Sequence, residues 1–313
     1  MIISASYKTD IPTFYGAWFM NRVAAGYCKV VNPYGRQVYR VDLAPAAVDG
    51  FVFWTKNIGP FLPDLDALAA QGYAFVVQYS ITGYPRALES AVVDAQEAVR
   101  HMRVLRARFG PRAAVWRYDT VILSSLTPLD FHRRNFAGLA QALEGVTDEV
   151  VISFAQIYKK TQRNLDRAAA EHGFQWHDPP DPLKADLAQE LAGVARRRGM
   201  QLSLCAQPAY LGPGVDAARC IDAQRLADVA GRAIPAAIQG NRPGCACFAA
   251  RDIGEYDTCP HGCAYCYAVQ NRNAALKRFR QHDPAGEFLF DPLPQSRTAR
   301  GIAHATQGNT VQP

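Results

Sequence analysis

The chain has 313 residues, which is enough to bury the core of a complete α/β barrel as one domain. Hydrophobic residues make up 49% and charged residues 20%, a composition that excludes a disordered chain and fits a globular enzyme. The formal net charge of +6 is spread without a block of like charge, which argues against nucleic acid as a partner. No segment reaches the ~18 consecutive apolar residues of a membrane span or has the pattern of a signal peptide, so we expect a cytoplasmic protein with no membrane partner.

Six apolar runs of strand length recur along the chain, and segments with helical periodicity lie between them, as in a parallel sheet. The predicted strands are Ile2–Ala5, Phe51–Trp54, Phe75–Tyr79, Ala114–Trp116, Val150–Phe154 and Leu202–Leu204. The predicted helices are Phe14–Ala25, Phe61–Ala70, Ala87–Arg108, Asp130–Leu143, Leu183–Arg198 and Ala223–Gly231. After the first helix, the Asn-Pro-Tyr-Gly sequence at 32–35 separates two β-prone runs and predicts a hairpin over Tyr27–Val41.

This order of elements predicts an α/β fold, namely a complete or partial (β/α) TIM-like barrel with one or two further strands to be located. A doubly wound sheet is the alternative. From Ile234 the sequence becomes rich in Gly, Pro and Cys. We therefore predict a barrel-like catalytic domain at 1–233, a Cys-rich lobe of the same domain at 234–294 that binds a cluster, and a mobile tail at 295–313.

Polar residues follow each of the six predicted strands. In a parallel barrel these positions converge on one rim, which is where such barrels have their active sites. Any single group of these polar residues could instead be a helix cap or part of a surface loop. The six sets are Ser6–Asp10, Thr55–Asn57, Ser80–Gly83, Arg117–Asp119, Gln156–Lys160 and Cys205–Gln207.

The most specific motif is the C-x3-C-x2-C run of Cys259, Cys263 and Cys266. In a reducing compartment such thiols are more often metal ligands than disulfides. Three thiolates at this spacing can hold three irons of a [4Fe-4S] cluster and leave the fourth iron open. A structural zinc site, completed by Cys245 and Cys247 or by His261, is the alternative and would indicate a zinc-stabilised binding or scaffold protein.

This spacing, with Tyr265 just before the last cysteine, resembles the motif of radical S-adenosylmethionine (SAM) enzymes. The resemblance implies that SAM chelates the open iron and that the reduced cluster cleaves its sulfonium to give a carbon radical. It also implies a small-molecule substrate and an electron donor such as flavodoxin or ferredoxin. Gly262 would let the loop fold tightly round the cluster. Tyr265 would shield the cluster and pack near the adenine, with plain packing as its alternative.

A second resemblance extends over residues 1 to 285. The chain resembles the DUF1848 family of bacterial proteins, whose function is largely unassigned and which looks like radical SAM enzymes with the cluster motif moved to the C-terminus. Some enzymes of this layout transfer the 3-amino-3-carboxypropyl group of SAM. The resemblance rests on Thr9-Asp-Ile-Pro12, Trp54-Thr-Lys-Asn57, Trp116-Arg-Tyr-Asp119, Asp252-Ile-Gly254 and the motif from Cys259 to Cys266.

The usual SAM-binding residues cannot be transferred, because radical SAM enzymes carry the cysteine loop after the first strand and this chain has Ser6–Asp10 there. The cysteine loop must instead fold back over the rim. The SAM carboxylate needs a cation and its amine or ribose needs an acceptor. The rim candidates for these binding and catalytic roles are the cations Lys8, Lys56 and Arg117 and the acceptors Asp10, Asp119 and Gln156.

The remaining cysteines leave several interpretations open. Cys245 and Cys247 fit a second cluster site, a soft-metal or arsenic substrate site, or a structural thiol pair. Cys205 and Cys220 lie next to the rim and are either substrate ligands or small buried hydrophobes. We interpret Cys28, in the predicted hairpin, as structural.

Overall fold

A computed structural model describes residues 1–32 and 35–291 of the chain. Its strands are β1 (Ile2–Ala5), β2 (Tyr27–Val31), β3 (Val38–Asp42), β4 (Gly50–Thr55), β5 (Phe75–Ser80), β6 (Ala114–Val121), β7 (Leu123–Ser124), β8 (Glu149–Phe154), β9 (Trp176–His177), β10 (Gln201–Leu204), β11 (Val215–Ala217) and β12 (Ala250–Asp252). Its helices are α1 (Ile11–Phe14), α2 (Gly16–Ala25), α3 (Leu62–Ala70), α4 (Ala95–Phe109), α5 (Leu129–Ala142), α6 (Lys159–His172), α7 (Asp181–Arg197), α8 (Ala223–Ala230) and α9 (Arg272–Gln281). None of these helices has the length and apolar character needed to cross a membrane.

Eight of the strands form one parallel sheet in the order β11-β10-β8-β6-β5-β4-β1-β12. The order follows the chain, except that the last strand pairs with the first, as it does in a (β/α) barrel. The prediction of an α/β fold with a parallel sheet is confirmed. Closure is not seen, because the described strands β11 and β12 are not paired with each other and the sheet has two edges.

The two faces of this sheet have different surroundings, because successive side chains of a strand point to opposite faces. On one face, residues such as Phe51, Phe53 and Ile152 belong to the large core that includes helix residues. On the other face, Val52, Val115 and Val151 are among the residues of a smaller apolar cluster, together with residues of α8. Further along the same strands, this second face carries polar residues: Ser4, Gln78, Arg117 and Ser153. The polar layer above the valines forms the base of the site.

Several boundaries differ from the prediction for local reasons. In place of the predicted helix Phe14–Ala25 there are two helices, the short α1, which Asp10 caps, and α2; the non-helical backbone of Tyr15 (φ −130°, ψ 21°) separates them. The prediction of helix from Ala87 is wrong before Ala95, since Asp94 accepts a bond from the Gln96 amide and starts α4 there. Helices α6 and α9 were not predicted. The hairpin is confirmed as β2 and β3. Pro33, Tyr34 and the predicted tail at 295–313 lie outside the described residues.

A buried guanidinium joins α8 to the start of β8. The Arg225 side chain is 2% exposed and donates to Asp148 and Glu149 at 2.9 Å each. Burial alone would favour the protonated Asp148 carboxyl, but Arg225 and Arg112 outweigh it and hold the pKa of Asp148 below its usual range. The ion pair therefore stabilises the fold at pH values above about 3.9, the pKa of an aspartate in the unfolded chain. This stabilisation is lost as the pH falls through the lower pKa of Asp148 in the folded protein.

Replacing Arg225 with methionine is expected to lower the free energy of unfolding by about 2 kcal/mol at pH 7, because two carboxylates lose a buried partner. The deficit should shrink as the pH falls below about 4, since protonated carboxyls no longer need the cation. Urea unfolding of both proteins between pH 7 and pH 3 measures this difference. A deficit that does not change with pH would show that Arg225 acts through packing alone.

Candidate functional site

A cavity of about 820 Å³ lies at the carboxyl ends of the strands. All six polar sets that follow the predicted strands contribute lining residues, and so does the cysteine loop, which folds back over this end of the sheet. Gly262 is not among the lining residues. The predicted site residues that line the cavity are Lys8, Asp10, Lys56, Arg117, Asp119, Gln156, Cys259, Cys263, Tyr265 and Cys266.

The cysteine loop is held in place by the segment that precedes α4. The Ala264 amide donates to the Leu88 carbonyl at 2.9 Å, and the Ala91 amide donates to the His261 carbonyl at 3.0 Å. The Tyr267 hydroxyl donates to the Tyr7 carbonyl at 2.6 Å. These contacts tie the loop both to the middle of the chain and to the segment after β1.

Asp10 lies at the centre of these connections and is 6% exposed. Its Oδ1 accepts from the Thr13 amide at 2.9 Å and so caps α1. Its Oδ2 accepts from the Lys56 amide and from His261 Nε2, both at 2.7 Å, and from the Thr55 hydroxyl at 3.1 Å. Asp10 thus joins three segments of the site, and both of its oxygens have partners within the protein.

Lys56 forms a buried ion pair with Glu89, a residue that the sequence analysis did not identify. Glu89 Oε1 accepts from Lys56 Nζ at 2.8 Å, from the Thr82 hydroxyl at 2.6 Å and from the Tyr265 hydroxyl. Burial would favour the neutral carboxyl, but Lys56 and the hydrogen bonds outweigh it and hold the pKa of Glu89 below its usual range. The pair places an ammonium group close enough to Cys263 to influence its pKa. Glu89 lies in the stretch predicted as the helix Ala87–Arg108, and nothing in the sequence around it indicates that it pairs with Lys56.

Arg117 and Asp119 project from the polar layer of β6. Arg117 is 3% exposed, and its guanidinium donates to Asp119 Oδ2 at 2.6 Å and to Gln78 Oε1 at 3.1 Å. It also lies over the Trp54 ring, 4.9 Å from the centroid. Burial would raise the pKa of Asp119, but Arg117 reverses the effect and lowers it. The pair is therefore ionised at neutral pH.

A third ion pair lies at the edge of the sheet. Lys8 Nζ is 3.4 Å from Asp252 Oδ1 at the end of β12. Asp252 also accepts from the Ser4 and Ser6 hydroxyls at 2.8 and 2.9 Å and from the Tyr7 amide at 3.1 Å. The sequence analysis missed Asp252 as a site residue, although it had singled out the Asp-Ile-Gly motif that contains it. Asp252 holds the segment after β1 against the last strand of the sheet.

Two further cations line the cavity, Lys160 of the fifth polar set and Arg242, and neither was among the predicted site residues. Lys160 Nζ lies 5.2 Å from the centroid of the Tyr256 ring. Burial raises the pKa of the Cys266 thiol, and the positive charge of Lys160 offsets part of that rise. Arg242 donates to Gln156 Oε1 at 3.2 Å. Among the described residues, neither cation has a carboxylate in an ion pair.

The thiols of Cys259, Cys263 and Cys266 face this cavity together. Burial raises the pKa of all three, so a metal that binds them must displace their protons. The Ala268 amide donates to Cys266 Sγ at 3.3 Å, a type of hydrogen bond that tunes metal-bound sulfur. In the described part of the chain, no three His, Cys, Asp or Glu side chains converge closely enough to hold a single ion. A [4Fe-4S] cluster binds its three thiolates through separate iron atoms and does not need that convergence, so three thiols that line one cavity are a donor set of the type that such a cluster uses.

Gly262 has a φ of +74°, and a Cβ there would lie 2.5 Å from Arg272 Cδ. Arg272 cannot move freely, since its Nε donates to the Pro260 carbonyl at 3.1 Å. Replacing Gly262 with alanine is expected to cost about 3 kcal/mol, from backbone strain and from this overlap. The matched control is Gly173→Ala, which has a φ of +69° with nothing within 4 Å and should cost about 1 kcal/mol. Equal losses in denaturant unfolding would contradict the expected overlap.

Comparison with known proteins identifies the family of the chain. Two solved structures are similar to part of it, a D-hydantoinase (TM-score 0.29, 11% identity, 65% of this chain and 41% of that one) and a triazine hydrolase variant (TM-score 0.28, 12% identity, 59% and 43%). The chain thus spans less than half the length of either protein. No curated protein matches its sequence. The model of the family described as "Domain of unknown function (DUF1848)" matches residues 2–268, and the chain belongs to this family.

Proposed function

We propose that this protein is a non-standard radical SAM-like enzyme that binds a [4Fe-4S] cluster through Cys259, Cys263 and Cys266. SAM binds in the same cavity, and the enzyme modifies a small-molecule substrate or transfers a group to it. The observation that carries the proposal is the single cavity in which the three thiols meet the polar ends of the parallel strands. A bound and reduced cluster supplies the electron that cleaves a carbon–sulfur bond of SAM.

The residues of the cavity suit the binding of a zwitterionic, partly aromatic molecule such as SAM. Lys160 influences Cys266 and has no carboxylate in an ion pair within the described chain, so we add it to the predicted cations for the SAM carboxylate. Lys56 and Arg117 keep that role as a prediction, although each already has an acidic partner. Gln156 and Asp119 offer oxygen acceptors to an amine or a ribose.

Other residues shape the cavity and keep water from it. Tyr265 is 8% exposed and closes the side of the cavity next to Cys263, with its hydroxyl directed to Glu89. His261 donates to Asp10 and fixes the loop between the first two cysteines. This contact is buried, which suits a site that must protect a reactive carbon radical.

Anaerobic reconstitution of the full chain with iron and sulfide tests the proposal. We expect about four irons and four sulfides per chain, a brown colour, and a change in the spectrum of the reduced cluster when SAM is added. A colourless protein that binds zinc instead would support the alternative of a zinc-stabilised binding or scaffold protein. It would contradict the radical SAM proposal.

The products from SAM identify the reaction type. Release of 5'-deoxyadenosine from the reduced protein indicates an adenosyl radical, and release of methylthioadenosine indicates 3-amino-3-carboxypropyl transfer. Reduced flavodoxin or ferredoxin is the proposed physiological electron donor and can be compared with dithionite in the same assay. A reconstituted cluster that yields neither product under reduction would contradict the assignment as a SAM-cleaving enzyme.

A further inference from the structure

A second group of thiols lines the same cavity away from the three cluster cysteines. Cys205 follows β10, Cys220 lies after β11, and Cys245 and Cys247 precede β12. The Sγ atoms of Cys205 and Cys220 are 3.5 Å apart. Cys247 Sγ accepts from the amide of Ile221, the residue after Cys220, at 3.4 Å.

The spacing of this pair differs from what an iron–sulfur cluster requires. Thiolates that bind separate irons of a cluster are kept apart by the cluster, whereas two thiolates on one tetrahedral ion lie within about 4 Å of each other, given metal–sulfur bonds of about 2.3 Å. The sulfurs of Cys205 and Cys220 are already at the second distance. Their geometry is that of a chelate for one atom.

Two guanidinium groups point at these sulfurs. Arg117 donates to Cys220 Sγ at 3.1 Å, and Arg242 donates to Cys205 Sγ at 3.5 Å. Arg117 is 3% exposed, so a buried cation directs one of its donors to a sulfur atom. A guanidinium stabilises a thiolate far more than a neutral thiol, because only the thiolate is an anionic acceptor. The pKa of both thiols is nevertheless raised, that of Cys205 by its contact with Cys220 and by burial, and that of Cys220 by its contact with Cys247 and by burial. A metal ion that binds the pair must therefore displace both protons.

We propose that Cys205 and Cys220 form a second metal-binding site, which takes a soft, thiophilic divalent cation. Thiolate ligands select soft ions such as those of the late transition metals over Mg²⁺ or Ca²⁺. Binding replaces two S–H bonds with two metal–sulfur bonds and releases two protons, so no oxidant or reductant is needed. The remaining coordination positions of the ion face the cavity and are open to a substrate donor atom, unlike those of a closed structural site.

The site is independent of the cluster, so its test does not depend on the proposed reaction. The probe is Cd²⁺, added to fully reduced, full-length protein in which Cys259, Cys263 and Cys266 are replaced by serine. We expect one cadmium per chain, with about two sulfur ligands by X-ray absorption and the rest oxygen or nitrogen. Adding Cys205→Ser and Cys220→Ser should remove this cadmium, whereas adding Cys28→Ala, a buried thiol in β2 that does not line the cavity, should not.

Arg242→Gln in the same background should weaken cadmium binding by about tenfold, because a partner of the ligand sulfur is lost. Cadmium that stays bound after both thiols are replaced would overturn the proposal. So would an absence of cadmium in the folded background protein, or a count of four sulfur ligands.

A second measurement covers the case in which the serine background does not fold. In the unsubstituted protein, Cd²⁺ should protect Cys205 from alkylation by iodoacetamide. Mass spectrometry measures the alkylation of the peptide that contains Cys205 separately from that of the cluster cysteines. Equal labelling of Cys205 with and without Cd²⁺ would overturn the proposal. Iron incorporation is measured on a parallel sample, so a failure of the cluster and a failure of this site give different results.

Discussion

Replacing Cys263 with alanine is expected to lower the iron content after reconstitution from about four per chain to below about one. Cys263 is the middle cysteine of the loop and lies next to the buried pair of Lys56 and Glu89. Without its thiolate, one iron of the proposed cluster would have no protein ligand and would be open to solvent, so the cluster would be lost in anaerobic buffer without SAM. Iron and sulfide analysis together with the visible spectrum measures the loss.

Cys28→Ala is the matched control for this change. Cys28 is also a buried thiol, but it lies in β2 and does not line the cavity. The control should bind the same amount of iron as the unsubstituted protein, although it removes a thiol of the same kind. If Cys263→Ala keeps four irons, the cluster is held by other residues and the proposed ligand set is wrong.

Replacing Asp10 with alanine is expected to lower the free energy of unfolding by about 4 kcal/mol, one of the largest losses available at a single position. The change removes the cap of α1 and leaves His261 and the Lys56 amide without their acceptor in a buried region. It also disconnects the cysteine loop from the end of β4. Denaturant unfolding measures the stability, and iron incorporation should fall in parallel because the loop loses its buried contact with Asp10.

Asp94→Ala is the control that shows how much of the loss in Asp10→Ala comes from the missing helix cap alone. Asp94 caps α4 through the Gln96 amide at 2.9 Å, but it lies on the surface, so its loss should cost only about 1 kcal/mol. The difference of about 3 kcal/mol between the two variants measures what Asp10 contributes beyond capping. Similar losses in both would mean that the contact to His261 has little effect on stability.

The sequence was sufficient for the parallel sheet because the apolar runs of its six main strands are buried on both faces. It was not sufficient for β11 and β12, since their sequences, Val-Asp-Ala and Ala-Arg-Asp, are not apolar runs and their side chains are mostly not buried. The same limit explains the missed α6, whose sequence is strongly polar except for a narrow buried stripe through Thr161, Leu165 and Ala168. Sheet closure depends on contacts between distant segments and has no local signal.

The location of the site was predictable because polar residues follow each strand and the sheet is parallel, so these residues meet at one end. The ion-pair partners of the predicted site residues were not predictable. Glu89 and Asp252 pair with the predicted lysines from segments 33 and 244 residues away, and nothing in the local sequence indicates either contact. The proximity of Cys205 to Cys220 likewise follows from the pairing of β10 with β11.

The pairing of the last strand of the sheet with the first has a consequence for the order of events during synthesis. Residues 1 to 10 are synthesised before the other strands of the sheet, yet β1 pairs with β12, and Asp10 meets His261 only across 251 positions of chain. Contacts of such sequence separation form late, after the intervening strands have assembled. The cysteine loop can therefore reach its place only after β1 to β12 have been synthesised, and a metal group bound by this loop would be added to an almost complete sheet.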